Sequence, residues 1–110
     1  VTPQAEAEVQ RNGSRVTVAL HGEVDLLSVP GLEDEVLTAA TPPLDAVVVD
    51  LDGCAFLDSA GVALVAALWQ QARDAGATFR LIRPRRNLRV VLAVAGMLDL
   101  VDDADATAGG

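Results

Sequence analysis

The run Ala46-Val47-Val48-Val49-Asp50-Leu51 is short, apolar and β-branched, and it does not alternate. A strand of that kind is covered on both faces, so it belongs in the interior of a sheet. The next long segment is helical in pattern: Val62, Val65, Leu68, Trp69 and Ala72 recur at three- and four-residue spacing between Ser59 and Ala75. Gly76 stands where a left-handed cap ends such a helix. A buried strand feeding directly into a long amphipathic helix is one half of a β-α-β crossover, and that commits the chain to an α/β fold.

The flanking segments extend the pattern. Ala5 to Gln10 alternates small apolar and polar residues, Asn12-Gly13 is a tight-turn dipeptide, and Arg15 to Leu20 alternates again with Val16, Val18 and Leu20 on one face. This predicts an N-terminal hairpin. Ser28 and Pro30 suit the start of a helix striped by Leu32, Val36 and Leu37, which Thr41-Pro42-Pro43 ends. Thr78 to Ile82 reads as a strand. Pro84 and Asn87 introduce a helix carrying Leu88, Val91, Leu92 and Ala95, closed by Gly96. Leu98 to Val101 reads as a last short strand, and 102–110 as a frayed tail. The expected order is β-β-α-β-α-β-α-β: one domain over residues 1–110 with its core at about 5–101, a mixed β-sheet, and helices packed mainly on one side.

Composition narrows what such a domain does. The 110 residues suffice for one compact domain. Only Phe56, Trp69 and Phe79 are aromatic, so Val, Leu and Ala must build the core. Sixteen acids against eight bases give a net charge of −8, which argues against nucleic acid as a partner. Residues 1–58 carry −9 of this and residues 59–110 carry +1. One cysteine, Cys54, and one histidine, His21, offer neither an internal disulfide nor a metal cage. No stretch has the ~18 apolar residues of a membrane span, and the first residues lack the pattern of a secretion signal. No cofactor and no membrane are expected, and a reducing cytoplasm is the simplest compartment.

The chemically informative stretch is Asp50 to Gly61. Asp58 is well typed as the helix cap, since its carboxylate accepts from free N–H groups of the first turn. Ser59 then falls at the first helical residue, its hydroxyl turned outward beside the positive end of the dipole, where a phosphate would find unpaired N–H donors. Ala60 and Gly61 are small and leave access for another protein's active site, with Phe56 and Leu57 as flanking contacts. An Asp-Ser pair before a helix is most often a cap and nothing more. Its weight rises because Gly22-Glu23-Val24-Asp25 leaves the second strand where a parallel arrangement brings it beside the end of the third.

Those residues together resemble a known family. Gly22-Glu23-Val24-Asp25, Val47 to Leu51, Phe56-Leu57-Asp58-Ser59-Ala60-Gly61, and Leu88 to Leu92 leading to Gly96-Met97 are similar, in order and spacing from about Val9 to Val101, to STAS domains. The likeness is to bacterial anti-sigma factor antagonists of the SpoIIAA type. It implies a mixed sheet with helices packed against it, and a non-enzymatic role. Ser59 would be phosphorylated by an anti-sigma factor that is itself a serine kinase, supplying ATP and Mg²⁺, with a serine phosphatase for reversal. Asp58 would be the acceptor's neighbour and Asp25 the loop acid near the docking surface. The second serine common after the acceptor is here Ala60, and the family's last helix is not evident after Val101.

Two other readings stand beside this one. A STAS subunit of another signalling or lipid-transport assembly needs no phosphorylation. A serine hydrolase would use the Asp58 to Gly61 segment as part of a nucleophile elbow, but His21 lies upstream of the serine, against the usual order. Arg80, Arg83, Arg85, Arg86 and Arg89 read as a solvated rim, Cys54 as buried filler, and Asp50 as a hydrogen-bonding acid at a strand end.

Overall fold

The structure is a computed structural model and describes residues 4–103. Strands β1 (Ala5–Asn12) and β2 (Arg15–Val24) pair antiparallel from Asn12↔Arg15 to Ala5↔Gly22. They turn through Gly13-Ser14, with Gly13 at φ 63°, a conformation that glycine enters without the Cβ penalty. β3 (Ala46–Asp50) lies parallel to β2, and β5 (Thr78–Ile82) parallel to β3, giving the order β1-β2-β3-β5. Helices α1 (Val29–Ala39), α2 (Ser59–Asp74) and α3 (Arg86–Val94) stand where the periodicity predicts them.

A further strand, β4 (Cys54–Leu57), was not expected from the sequence. It pairs parallel with the far end of β2, Glu23↔Phe56 and Val24↔Leu57. One edge of β2 therefore serves two partners in succession, β3 along Arg15–Ala19 and β4 along Gly22–Val24. The segment 22–25 thus meets β4, not the end of β3.

Register explains the core. Val16↔Val47 and Val18↔Val49 are paired, and Val49↔Leu81 continues the row, so these side chains share one face. They join Leu32, Val36, Leu64, Val65, Leu68, Leu88 and Leu92 in a single cluster under the helices. Fully burying a Val or Leu side chain contributes about 1.5–3 kcal/mol, and no polar or charged residue is buried among the described residues. On the other face Val48 and Ile82 are buried outside that cluster. In α2 the buried stripe is Leu64, Val65, Leu68 and Ala72, while Val62 is half-buried and Trp69 lies under the Arg73 guanidinium, 5.3 Å from the ring centre.

The last segment differs from expectation. Leu98–Leu100 is a turn of 3-10 helix, closed by Leu100 N–H donating to Met97 O and Val101 N–H to Leu98 O. Only Val101 reaches the sheet, as a single bridge to Leu81. Chain leaving α3 at Gly96 has to coil back before it meets the edge of β5, so the alternating Leu98-Asp99-Leu100 never extends along it. Asp102 and Asp103 are not frayed: Asp102 N–H donates to Leu81 O at 2.8 Å, Arg80 pairs with Asp102 at 2.7 Å and Arg89 with Asp103 at 2.9 Å. The rest of the expected tail, 104–110, lies outside the described residues.

Candidate functional site

β2, β4, α1 and α2 meet at one end of the sheet. Leu57 ends β4 buried, at 1% exposure, and the chain turns through Asp58 in extended conformation (φ −98°, ψ −168°). The Asp58 carboxylate divides its work. Oδ1 accepts from Ala60 N–H at 2.9 Å and Gly61 N–H at 3.0 Å, capping α2. Oδ2 accepts from Leu26 N–H at 2.9 Å, reaching the loop between β2 and α1. The Gly61 bond, with those of Leu26 and Ala60, holds the Asp58 carboxyl below the usual carboxylate range.

Ser59 is the first residue of α2 and is exposed. Its hydroxyl has no hydrogen-bond partner among the described residues. The N–H donors expected to await a phosphate are different: those of Ala60 and Gly61 already belong to Asp58. A phosphate on Ser59 would therefore meet a carboxylate in the first turn.

Gly61 faces inward. It is buried, and a Cβ there would stand 2.2 Å from Val24 O and 2.8 Å from Leu57 Cδ2. Its smallness lets α2 approach β2; it does not open the surface. Gly61 and Leu57 are thus buried packing residues at the base of the site. Ala60 is half-buried, and Phe56 is 45% exposed.

Asp25 lies in the same loop that Asp58 grips. Its Oδ1 accepts from Leu27 and Ser28 N–H, both at 3.1 Å, and its Oδ2 from Gln4 Nε2 at 2.6 Å. Ser28 Oγ donates to Glu23 O and accepts from Asp25 N–H, locking the turn further. Held on this frame, Leu26 is 72% and Leu27 81% exposed. Across the helix mouth, Val90 and Val94 of α3 are also exposed, and with Leu57, Ser59 and Val62 they line an apolar groove of about 440 Å³ between α2 and α3. Sequence reasoning missed Leu26, Leu27, Val90 and Val94; two adjacent leucines in a loop bounded by Asp25 and Ser28 were the available signal.

His21 is not brought to Ser59. Its ring lies against Gly53, where a Cβ would stand 2.1 Å from Nδ1, and Nε2 is 3.2 Å from Glu8. Among the described residues no group of His, Cys, Asp and Glu is placed to hold a metal ion, and no helix is long and apolar enough to cross a membrane. The arginines of the expected rim are largely engaged: Arg83 pairs with Asp50, Arg85 donates to Asp52 O, and Arg80 and Arg89 hold the end of the described chain.

Comparison with known proteins decides the family. The family described as "Mlab, STAS domain" matches residues 7–102. This chain belongs to the STAS-domain family. An anti-sigma-B factor antagonist of Bacillus subtilis (strain 168) is 22% identical over 103 residues, covering 94% of each chain. Among solved structures, the anti-sigma factor antagonist SpoIIAA in its unphosphorylated form superposes with a TM-score of 0.78 at 20% identity, over 88% of this chain and 86% of that one. The Bacillus cell fate determinant SpoIIAA in the phosphorylated form gives 0.72 at 20% identity, over 88% and 89%. The fold of this STAS domain is that of SpoIIAA, and its Bacillus subtilis relative is an anti-sigma-B factor antagonist.

Proposed function

We propose that this STAS domain is a partner-switching anti-sigma factor antagonist of the cytoplasm. Unmodified, it docks on an anti-sigma factor that is also a serine kinase and makes it release its sigma factor. The kinase, which supplies ATP and Mg²⁺, then phosphorylates Ser59 and the complex separates; a serine phosphatase resets it. The observation that carries this reading is Ser59 itself, exposed at the mouth of α2 and free of protein partners among the described residues, with exposed apolar side chains on both sides.

Charge is sufficient for the switch. Phosphorylation adds about −1.5 to −2 charges. They arrive next to Asp58, whose carboxylate stays ionised at neutral pH, in an end of the molecule that also carries Glu23 and Asp25. An interface change of about 3 kcal/mol lowers affinity more than a hundredfold, so no refolding is needed. The test is titration of the candidate kinase with two variants. Ser59→Ala is expected to bind persistently and Ser59→Asp weakly; equal affinities would defeat the reading.

The apolar groove between α2 and α3 favours a second reading, a constitutive subunit of another STAS-containing assembly. In that case binding would be indifferent to both Ser59 substitutions.

A further inference from the structure

We propose that Asp58 is a positioning residue: through Oδ2 it braces the loop 25–28 against the mouth of α2, and so presents Leu26 and Leu27 as a rigid apolar knob that the kinase grips. This rests on the partner-switching reading and assigns to it residues that the acceptor motif does not contain.

The geometry separates two roles on two atoms. Capping uses Oδ1 alone, through Ala60 and Gly61 N–H. The brace uses Oδ2 alone, through Leu26 N–H. Leu26 N–H has no other partner among the described residues, whereas its neighbours are held from within the loop, Leu27 and Ser28 by Asp25 and Val29 by Asp25 O. Asp58 is therefore the side chain that ties this loop to the phosphoacceptor helix.

The loop's cargo makes the brace meaningful. Two adjacent leucines, 72% and 81% exposed, gain nothing for the isolated fold by facing water. Held rigid, they lose little further conformational freedom on docking, which is how preorganisation raises affinity. Any kinase that brings a nucleotide to Ser59 Oγ must cover the residue before it, and the loop bonded to that residue lies within reach of the same contact. The occupant is thus the kinase surface itself, with an apolar recess for the leucines.

Asparagine separates the roles cleanly. It caps helices about as well as aspartate, so Asp58→Asn retains an Oδ1 acceptor for Ala60 and Gly61. Its Nδ2 is a donor, however, and faces the Leu26 N–H donor with nothing to offer. Asp58→Ser is a second variant, able to cap but too short to brace.

The experiment pairs amide hydrogen exchange with kinase titration. In Asp58→Asn or Asp58→Ser, Leu26 N–H should exchange at least tenfold faster while Ala60 and Gly61 stay within about twofold of the parent. Kinase affinity should fall tenfold or more, as it should for Leu27→Ser. Unchanged exchange at Leu26, or unchanged affinity despite a loosened loop, overturns the proposal. A parent chain that neither binds the kinase nor accepts phosphate overturns the partner-switching reading instead, and the exchange data still decide the brace.

Discussion

The two oxygens of Asp58 face different elements and both accept from backbone N–H groups; protonation would remove the charge that strengthens these bonds and place a hydrogen on one of the two acceptors. Because its folded pKa lies below the ordinary carboxylate value, its stabilising contribution is complete above the unfolded pKa of about 4 and is lost as pH falls through the folded value. Acid titration of stability should accordingly show a shallower loss below about pH 4 in Asp58→Asn than in the parent. Gly61 offers a second test at this scale. A methyl group there meets Val24 O at 2.2 Å, a backbone atom that cannot step aside. Gly61→Ala should cost about 1–3 kcal/mol in urea unfolding, as overpacking does, although alanine is the better helix former. Asp58 as cap and Ser59 as first helical residue were legible, because capping chemistry is local. The inward role of Gly61 was not, because it depends on which strand passes behind the helix.

Among the elements, α1, α2 and α3 were legible from their apolar spacing, and the hairpin from its alternation around Asn12-Gly13. β4 was not. Its four residues, Cys54-Ala55-Phe56-Leu57, are too few to show a period, and what makes them a strand is the unused edge of β2 beyond β3. The reverse error occurred at Leu98–Leu100, where alternation was present but no length of edge was available to pair with. Arg11 shows a third kind of contact that patterns do not report. From β1 its guanidinium donates to Gly13 O, Ala39 O, Thr41 O and Pro43 O, so one side chain fastens the hairpin turn to the end of α1 and the segment after it. Arg11→Ala should lower stability by about 1–2 kcal/mol, the exposed setting moderating what charged hydrogen bonds contribute. Lysine should restore only part of this, since an ammonium cannot span four carbonyls as a planar fork does. Denaturant unfolding of the two variants measures both.

For the whole molecule, charge and position reinforce one another. The net charge is −8, and residues 1–58 hold the excess. The later arginines reach back to it, Arg83 to Asp50 and Arg85 to the Asp52 carbonyl, so the basic residues are in part consumed internally. Added negative charge at Ser59 is therefore poorly compensated from within. If repulsion drives release, the affinity gap between Ser59→Ala and Ser59→Asp should narrow as salt rises and the Debye length falls from about 10 Å at 0.1 M to about 3 Å at 1 M. A gap that ignores salt would mean that bulk, not charge, ends the contact. The comparison needs only the two variants and one partner at several ionic strengths.

The strands also give the molecule two poles. Ser59, Asp25 and the paired ends of β2 and β4 occupy one, while the hairpin turn and the starts of β3 and β5 meet at the other, where Asp45 N–H donates to Ser14 O and Thr78 N–H to Asp45 O. Thr41, exposed beside that second pole, is a natural handle. The native thiol, Cys54, is fully buried and its pKa is pushed up by that burial, which keeps it protonated and out of reach. A maleimide dye should thus attach to Thr41→Cys alone, leaving a reporter at the far end to watch the partner come and go.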